Sequence, residues 1–547
     1  MEKNFVKDAA KELVEDHEME FNVGVTENGG LGYKTTGRKI LDVSFMLPSL
    51  RKATEEEING LWDIMYRDDE ELAVLFLFYA GDIRKGSGER RVFKLMFKKF
   101  CEMDAKKASN FISLIPEYSR WDVMWNLIGI NDEIDNTIGA IVRAQISEDV
   151  KNAKEGKPIS LLAKWLPSYN TSSRETRMNA VNVCRVTYGI DISKNPTLQK
   201  NYRQMLSMLR KHLKVVEATI SANEWDKVDY EAVPSKANLL YKNAFKRHDE
   251  ERYGKYLEDL AAGKTKVNAS VAFPCDIVHK YYMEKFANRY CCPPDRRALA
   301  YLEDEDTLLE EMWKNLPEYN VEDDDTVVVL DTSGSMRCRV GNTGNMTALE
   351  VATSIAIYFS DHSKGKYAKN IIAFSTEPSF IDLSDCKSLK DKLNKAAADR
   401  IDCGSTNIEG VFDLILNTAK QNKYEQKDIP SRIAVVSDME FDDAFRVPVP
   451  GEYWGTPVDA RVFKVIEEKF EAAGYKMPKL VFWNVNSRTD TIPLTTNEAG
   501  VILVSGFSAN TMKMVLSDKT DPMEALLEIL YSERYAPIRS LFQVINK

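Results

Sequence analysis

The sequence predicts a multidomain protein, with an N-terminal all-α array of HEAT-like helices followed by a C-terminal α/β domain with a doubly wound sheet. From Ile40 to about Trp313, apolar residues recur three and four positions apart, which is typical of amphipathic helices. Beyond that point, short β-rich runs alternate with helical patterns, which favours a mostly parallel sheet. An acidic stretch between Pro317 and Asp325 separates the two patterns.

The chain is long enough for two domains, because 547 residues exceed what one hydrophobic core usually supports. We place the helical domain at residues 1–320 and the α/β domain at residues 321–547. Within the first domain, residues 2–20 have the pattern of a short acidic helix. Residues 21–40 are rich in glycine and are predicted to form a loop. The many short breaks between helical patterns favour a helical array or solenoid, although the sequence has no fixed period.

The α/β domain is predicted from five β-rich runs and four helical patterns. The expected strands are Thr326–Leu330, Asn370–Phe374, Arg432–Val436, Lys479–Trp483 and Val501–Val504. The expected helices are Leu349–Phe359, Ile408–Thr418, Val462–Ala473 and Met512–Leu516. The first strand is rich in valine with little polar alternation, as in a strand buried on both faces.

Composition predicts a cytoplasmic protein without a membrane span. Apolar residues make up 44% and charged residues 29% of the chain, and no apolar run reaches transmembrane length. The first residues lack the apolar core of a signal peptide. Eight cysteines are sparse for this length and include no C-x-x-C pair, so we expect reduced thiols rather than disulfides.

The charge is unevenly distributed around a net value of −10. Residues 151–300 hold 27 Lys and Arg against 16 Asp and Glu, a net of +11, whereas residues 1–150 (20 against 28) and 301–547 (27 against 40) are acidic. A basic segment inside an acidic protein predicts a surface that binds a polyanion. The alternative is that these charges are spread over several helix faces and never converge.

Several cations stand beside aromatic residues, an arrangement that suits single-stranded RNA. The alternative places the aromatic rings in the core and the cations at the surface, as in ordinary helices. The glycine-bearing stretch Arg84–Arg91 is a second candidate for binding a polyanion. It either binds phosphate or forms a solvated turn between helices. The candidate RNA-binding residues are Arg84, Arg90, Arg91, Lys164, Arg203, Arg210, Lys211, Lys214, Lys246 and Arg247.

Acidic and hydroxyl side chains follow the predicted strands in a pattern that suits a divalent cation. Asp331, Ser333 and Ser335 come directly after the first strand, and Asp438 follows the strand Arg432–Val436. Thr406 lies in a glycine-bearing loop before a helix. Two carboxylates and three hydroxyls at one sheet edge are hard ligands, which favour Mg²⁺ or Mn²⁺. For each residue alone, helix capping is the alternative.

The motif Asp331-Thr332-Ser333-Gly334-Ser335, followed by Thr406 and Asp438, resembles the metal-ion-dependent adhesion site (MIDAS) of von Willebrand factor A domains. This resemblance implies the doubly wound fold. It also implies a bound metal with one open position, which the carboxylate of a protein partner fills. The segment from Arg337 to Met346 between the motif and its helix is longer than is usual in that family.

The combination of a helical array with such a domain resembles the Ro (TROVE-domain) RNA-binding proteins, and more closely an uncharacterised two-part family. The stretches that carry this second resemblance are Gly81–Arg84, Gly88–Arg91, Tyr118–Asp122, Ala163–Pro167, Ser437–Asp442 and Val481–Asn484. The resemblance implies a Ro-like ribonucleoprotein component that binds structured or single-stranded RNA.

The sequence favours a binding protein over an enzyme. It contains no G-x-S-x-G, no nucleotide-binding fingerprint and no H-E-x-x-H, and the five histidines have no ligand spacing. The first hypothesis is therefore RNA binding, and the second is a metal-dependent protein-interaction module without RNA. A metal-dependent hydrolase or nuclease, using Asp438 with Glu440, Asp442 and Asp443, is a weaker alternative.

Overall fold

A computed structural model describes most of the chain. The described residues are 23–25, 31–33, 35–269, 272–286, 301–318, 325–340, 345–375, 377–398, 407–439, 460–486, 501–506, 512, 515 and 521–545. The predicted helix at residues 2–20 lies outside them, and the predicted helix Met512–Leu516 lies mostly outside them.

The described residues form helices throughout the chain and a six-stranded sheet in its C-terminal half. The helices are α1 (Lys39–Met46), α2 (Glu55–Asp68), α3 (Glu70–Gly81), α4 (Arg90–Met103), α5 (Ala105–Phe111), α6 (Ile115–Tyr118), α7 (Asp132–Lys154), α8 (Leu162–Trp165), α9 (Arg174–Tyr188), α10 (Pro196–His212), α11 (Val216–Ser221), α12 (Ser235–His248), α13 (Glu250–Ala261), α14 (Pro274–Phe286), α15 (Thr307–Lys314), α16 (Ala348–His362), α17 (Leu389–Ala398), α18 (Ile408–Asn422), α19 (Ala460–Ala472), α20 (Pro522–Leu530) and α21 (Ala536–Ile545). The strands are β1 (Val23–Val25), β2 (Leu31–Tyr33), β3 (Val327–Asp331), β4 (Asn370–Phe374), β5 (Ser379–Asp382), β6 (Arg432–Ser437), β7 (Lys479–Asn484) and β8 (Val501–Ser505).

The chain folds into two compact units, and each is discontinuous in sequence. The sheet unit consists of residues 1–53 and 272–529, and the helical unit of residues 54–271 and 530–547. Packing thus groups α1 with the sheet and α21 with the helices, a division that differs from the predicted boundary between residues 320 and 321. The coarse prediction of a helical part followed by an α/β part is confirmed.

The sheet has the strand order β5-β4-β3-β6-β7-β8. All neighbouring strands are parallel except the edge strand β5, which pairs antiparallel with β4. The order reverses between β3 and β6. From β3 the chain adds β4 and then β5 on one side, whereas β6, β7 and β8 follow one another on the other side. In open α/β sheets, the crevice at such a reversal is where ligands bind.

Helices cover both faces of this sheet. Successive side chains of a strand point to opposite faces, and β7 shows this directly. Phe482 packs into a core cluster with Phe412 of α18 and Phe470 of α19. The next residue, Trp483, lies 5.7 Å from Phe359 of α16, measured between ring centroids. Helix α16 is buried from Ala348 to Ser360, as expected for a helix enclosed on all sides.

All five predicted strands are present, with bounds shifted by at most one residue. The helices predicted at Leu349–Phe359, Ile408–Thr418 and Val462–Ala473 are also present, although α16 and α18 extend beyond the predicted ends. The sequence analysis missed β5, and the predicted loop at residues 21–40 contains the short hairpin β1-β2 and the start of α1. β5 has four residues, and exposed polar residues at both ends flank Phe380 and Ile381, so it lacks the longer apolar run by which the other strands were predicted.

The helical unit is closed by its C-terminal segment. Arg534 donates hydrogen bonds to both carboxylate oxygens of Asp82, at 2.8 and 3.2 Å. Tyr535 stacks on Tyr118, with ring centroids 5.7 Å apart. These contacts join residues more than 400 positions apart and explain why residues 530–545 belong to this unit.

The sequence analysis predicted no membrane span and reduced cysteines, and the described residues can be compared with both predictions. None of the described helices combines the length and the apolar composition that a membrane span requires. Five cysteines form no disulfide in the described part of the chain; they are Cys101, Cys184, Cys275, Cys338 and Cys386.

Candidate metal centre and basic surface

Asp331 occupies the carboxyl end of β3 and is almost fully buried, at 1% exposure. Its Oδ1 atom accepts a hydrogen bond from the backbone N–H of Ser333 at 2.9 Å. Its Oδ2 atom accepts one from the Oγ–H of Ser437, at the end of the neighbouring strand β6, at 2.6 Å. Both carboxylate oxygens therefore have fixed positions at the reversal point of the sheet.

The serines of the motif extend this arrangement from Asp331 to Asp438. The Oγ atoms of Ser333 and Ser335 lie 2.9 Å apart, and Ser335 Oγ donates to Asp438 Oδ1 at 3.2 Å. Asp438 is fully buried, and its backbone N–H lies 3.1 Å from the sulfur of Met336. The structure thus brings together four of the five predicted metal ligands, and Thr406 lies outside the described residues.

The donor set suits a hard divalent cation. Two buried carboxylates and two hydroxyls meet where β3 and β6 end, which is the expected ligand crevice of this topology. No cluster of three or more His, Cys, Asp or Glu side chains occurs in the described part of the chain. Glu440, Asp442 and Asp443, the added acids of the hydrolase alternative, lie outside the described residues.

Ser437 is a functional candidate that the sequence analysis did not select. It is fully buried, and besides holding Asp331 it accepts a hydrogen bond from the backbone N–H of Met439 at 3.0 Å. The available signal was a hydroxyl that directly precedes Asp438 at a strand end. Through its hydrogen bond to Oδ2, Ser437 orients the Asp331 carboxylate.

The segment after the motif folds back toward helix α16. The backbone N–H of Val340 donates to the carbonyl of Met346 at 2.9 Å, and that of Ala348 to the carbonyl of Cys338 at 3.0 Å. Thr347 and Glu350 form a capping box at the start of α16. Residues 341–344, which include Gly341 and Gly344, lie outside the described part. A capped helix therefore anchors the segment at its C-terminal end.

The basic charge of the helical unit is concentrated in residues 151–214. This segment holds 13 Lys and Arg against 3 Asp and Glu, a net of +10, and thus nearly all of the +11 found for residues 151–300. Eight of these cations are exposed and make no hydrogen bond or ion pair among the described residues. They are Lys151, Lys154, Arg174, Arg185, Lys200, Arg203, Lys211 and Lys214.

On two helices the cations share a face. Lys200 and Lys211 of α10 are eleven residues apart, which is about three helical turns. Arg174 and Arg185 of α9 have the same spacing. The opposite faces are buried, through Tyr202 and Leu206 in α10 and Ala180 and Val183 in α9. Both helices pack against α7. The sequence analysis missed Lys200, Arg174 and Arg185, although the eleven-residue spacing was visible.

The ten predicted RNA-binding residues all lie in the helical unit, and eight are exposed. Arg84 is among the exposed ones, but its guanidinium donates to the carbonyl oxygens of Pro116 and Glu117. Lys164 is half-buried and pairs with Glu217 at 3.2 Å. Arg210 donates to the carbonyl oxygens of Ala163 (2.9 Å) and Leu166 (2.7 Å) and to the hydroxyl of Ser168 (2.9 Å). Arg210 therefore braces the chain around α8, and we leave it out of the basic surface.

The aromatic neighbours of these cations are mostly core residues. Tyr202, Phe245 and Tyr253 are buried, whereas Arg203, Lys246 and Arg247 beside them are exposed. For these pairs the structure matches the alternative to base stacking, because the aromatic rings lie in the core and the cations at the surface. Trp165 differs, because it is only half-buried and the guanidinium of Arg120 lies 4.0 Å from its ring centroid.

Comparison with known proteins gives three matches. Residues 325–534 match a domain of unknown function, DUF7788, and residues 137–319 match another, DUF2828. The chain is 27% identical to "Uncharacterized protein L728" of Acanthamoeba polyphaga mimivirus, over 93% of this chain and 87% of that protein. No solved structure matches the chain.

These matches support a two-part organisation without giving it a function. The DUF7788 match begins at residue 325, close to the start of β3, and contains the candidate metal centre. The DUF2828 match contains the basic segment 151–214. The resemblances to von Willebrand factor A domains and to Ro proteins stay predictions.

Proposed function

We propose that this chain is a non-catalytic RNA-binding protein whose helical unit contacts the phosphate backbone of RNA. The observation that carries the proposal is the excess of exposed cations without ion pairs in residues 151–214, arranged on shared faces of α9 and α10. Cations that the fold leaves unpaired are available to a polyanion, and neutralising phosphates releases the counterions of the nucleic acid.

The burial of the aromatic residues beside these cations indicates how the protein would contact RNA. Because Tyr202, Phe245 and Tyr253 are buried, they are not available to stack on bases. Phosphate contacts fix the position of a protein on a nucleic acid but carry little sequence information. We therefore propose binding with weak sequence preference and strong salt dependence. The resemblance to Ro proteins favours RNA over DNA.

A charge-reversal variant tests this proposal. In Lys200→Glu/Arg203→Glu/Lys211→Glu, three exposed side chains on one face of α10 change sign while its buried face is kept. A matched control reverses Lys106, Lys255 and Lys266, which are also exposed and unpaired in the helical unit. Fluorescence anisotropy with a labelled RNA at low salt should show about a hundredfold or greater loss for the first variant relative to the control. Equal losses in both would reject α10 as the contact surface.

A second candidate function, which is compatible with the first, is metal-dependent capture of an acidic residue of a protein partner. The hydrogen-bonded series Asp331–Ser333–Ser335–Asp438 favours it, because it presents hard donors at the crevice of the sheet. Mg²⁺ or Mn²⁺ held there would offer an open position to a carboxylate. A pull-down that depends on Mg²⁺ and is lost in Asp331→Ala would support this role, whereas capture that persists in chelator would contradict it.

A further inference from the structure

An exposed pair of stacked rings lies at the C-terminal end of α12, in the helical unit. The imidazole of His248, the last residue of this helix, lies nearly parallel to the indole of Trp225, with ring centroids 4.5 Å apart and an interplanar angle of 8°. His248 is exposed, whereas the other aromatic pairs in the described part of the chain consist of buried and half-buried rings. Because the indole covers one face of the imidazole, the exposed surface of His248 includes its other face.

Trp225 is held in place beneath His248. It is half-buried, and its Nε1–H donates to Oδ1 of Asn223 at 2.7 Å, while its carbonyl accepts from Nη1 of Arg252 at 2.9 Å. The indole also meets the fully buried Phe245 edge to face, with ring centroids 6.4 Å apart. The Trp225–His248 stack is thus anchored to the core of the helical unit. A ligand that binds to such a preorganised surface loses little affinity to the ordering of side chains.

The polar groups of His248 are not used by the fold. Its side chain makes no hydrogen bond or ion pair among the described residues, and its contact with Trp225 is through the ring face. Both the outer face and the ring nitrogens of the imidazole are therefore available to a ligand.

The charges that flank the two rings in sequence nearly balance. Asp249 accepts hydrogen bonds from Tyr230 at 2.6 Å and from Arg252 at 2.9 Å, and Glu224 pairs with Lys227 at 2.7 Å. The exposed charges that remain beside the stack in sequence are Lys246, Arg247, Asp226, Glu250 and Glu251. Two cations against three acids do not form a phosphate site. What the stack presents is the face of an aromatic ring.

We propose that the Trp225–His248 stack is a platform for an unpaired base of single-stranded RNA. This inference rests on the proposed RNA binding of the helical unit, and it adds a base-contacting site to the phosphate-contacting faces of α9 and α10. Every nucleobase has a π-face, so stacking of this kind tolerates any sequence, which agrees with a weak sequence preference. Only unpaired bases can leave their neighbours and stack on a protein ring, so the platform selects single strands over duplexes.

Anisotropy titrations of the full chain with two labelled RNAs at low salt test the platform. One is a single-stranded oligouridylate, and the other has the same number of phosphates but abasic riboses throughout. We expect the wild type to bind the first about tenfold more tightly, because one base–aromatic stack contributes about that factor. In Trp225→Ala/His248→Gln this ratio should fall toward 1, with the affinity for the abasic RNA unchanged. His248→Phe keeps a ring face without the ring nitrogens and should preserve the ratio.

Leu240→Gln is the matched control, because Leu240 is 67% exposed on the same helix but does not belong to the stack. It should leave the ratio as in the wild type. Circular dichroism shows whether the double variant is folded. A second measurement needs no variant: an RNA that carries 5-bromouridine, photo-cross-linked to the wild type and mapped by mass spectrometry, should be attached at Trp225 or His248.

The outcomes separate this proposal from the RNA binding on which it rests. Tight and equal binding of both RNAs by the wild type would overturn the platform and leave the phosphate contacts of α9 and α10 in place. An unchanged ratio in the folded double variant, or cross-links at neither ring, would overturn it as well. If the wild type binds neither RNA at low salt, the platform and the proposed function fail together.

Discussion

Ser335 donates a hydrogen bond to the Oδ1 atom of Asp438, 3.2 Å away and 103 positions further along the chain. The bond joins the segments that follow β3 and β6, the two strands between which the order of the sheet reverses. Through Ser333 and Asp331 it belongs to one polar series with two buried carboxylates. The candidate metal centre depends on this convergence.

Removing either end of that bond should weaken divalent metal binding. We expect Ser335→Ala and Asp438→Asn each to lower the Mn²⁺ affinity about tenfold or more, because each removes a ligand or its orienting partner. Isothermal titration calorimetry with Mn²⁺ measures this. Ser363→Ala, at the far end of α16, is the matched control and should bind as the wild type does. A wild-type chain that takes up no Mn²⁺ or Mg²⁺ would contradict the metal assignment.

Gly139 should not tolerate a side chain. A Cβ atom there would lie 2.1 Å from the carbonyl oxygen of Val186, so α7 and α9 would have to move apart. We expect Gly139→Ala to lower the urea midpoint clearly. Gly254→Ala in α13 is the matched control, because nothing lies within 4 Å of its Cβ position. That change should stabilise by about 0.5–1 kcal/mol, since alanine favours helix over glycine. Equal effects of the two substitutions would contradict the described packing of α7 and α9.

Loss of the Arg534–Asp82 pair should destabilise the helical unit. Asp82 is fully buried, so Arg534→Ala leaves a buried carboxylate without its guanidinium, a change that costs about 3 kcal/mol or more. Arg539→Ala removes an arginine of the same segment that stacks on Tyr531 instead, and it serves as the control. Urea unfolding of both variants makes the comparison. A midpoint for Arg534→Ala within error of that for Arg539→Ala would show that the pair does not close the unit.

The buried thiols should resist alkylation and link stability to alkaline pH. Burial raises the pKa of Cys101 and of Cys184 from 9.0 to about 12, because it disfavours the thiolate. In the unfolded chain these thiols ionise near pH 9. Their contribution to stability is therefore complete below pH 9 and is lost as the pH rises toward 12. Mass spectrometry after iodoacetamide treatment at pH 8 should show Cys338, which is half-buried, modified before either. Modification of Cys101 or Cys184 at the rate of Cys338 would contradict their burial.

The sequence was informative where the signal is local. Valine-rich strands and the acids that end them predicted β3, β6, Asp331 and Asp438, because a parallel sheet aligns the carboxyl ends of its strands. The exposure of Arg203 beside the buried Tyr202 follows from the helical period of α10. Arg210 lies one position after the buried Leu209, and the same period could have indicated its partly inward orientation.

Long-range packing could not be predicted in this way. Phe45 of α1 belongs to the core of the sheet, and its carbonyl accepts a hydrogen bond from Asn484 at 3.1 Å, yet 439 positions separate the two. Arg534 and Asp82 are a similar case. The stacking of Arg120 on Trp165 depends on how α8 is braced by Arg210. No periodicity or spacing encodes such contacts, because each is fixed by packing between distant segments.

The most direct test of RNA binding by the helical unit is the salt dependence of that binding. Anisotropy titrations of the wild type and of Lys200→Glu/Arg203→Glu/Lys211→Glu with one single-stranded RNA, over a series of salt concentrations, give the slope of log K against log salt. We predict tight binding at low salt for the wild type, and a slope shallower by about 2 in the variant, since each lost phosphate contact removes about 0.7. No wild-type binding at low salt, or identical slopes for the two proteins, would contradict the account.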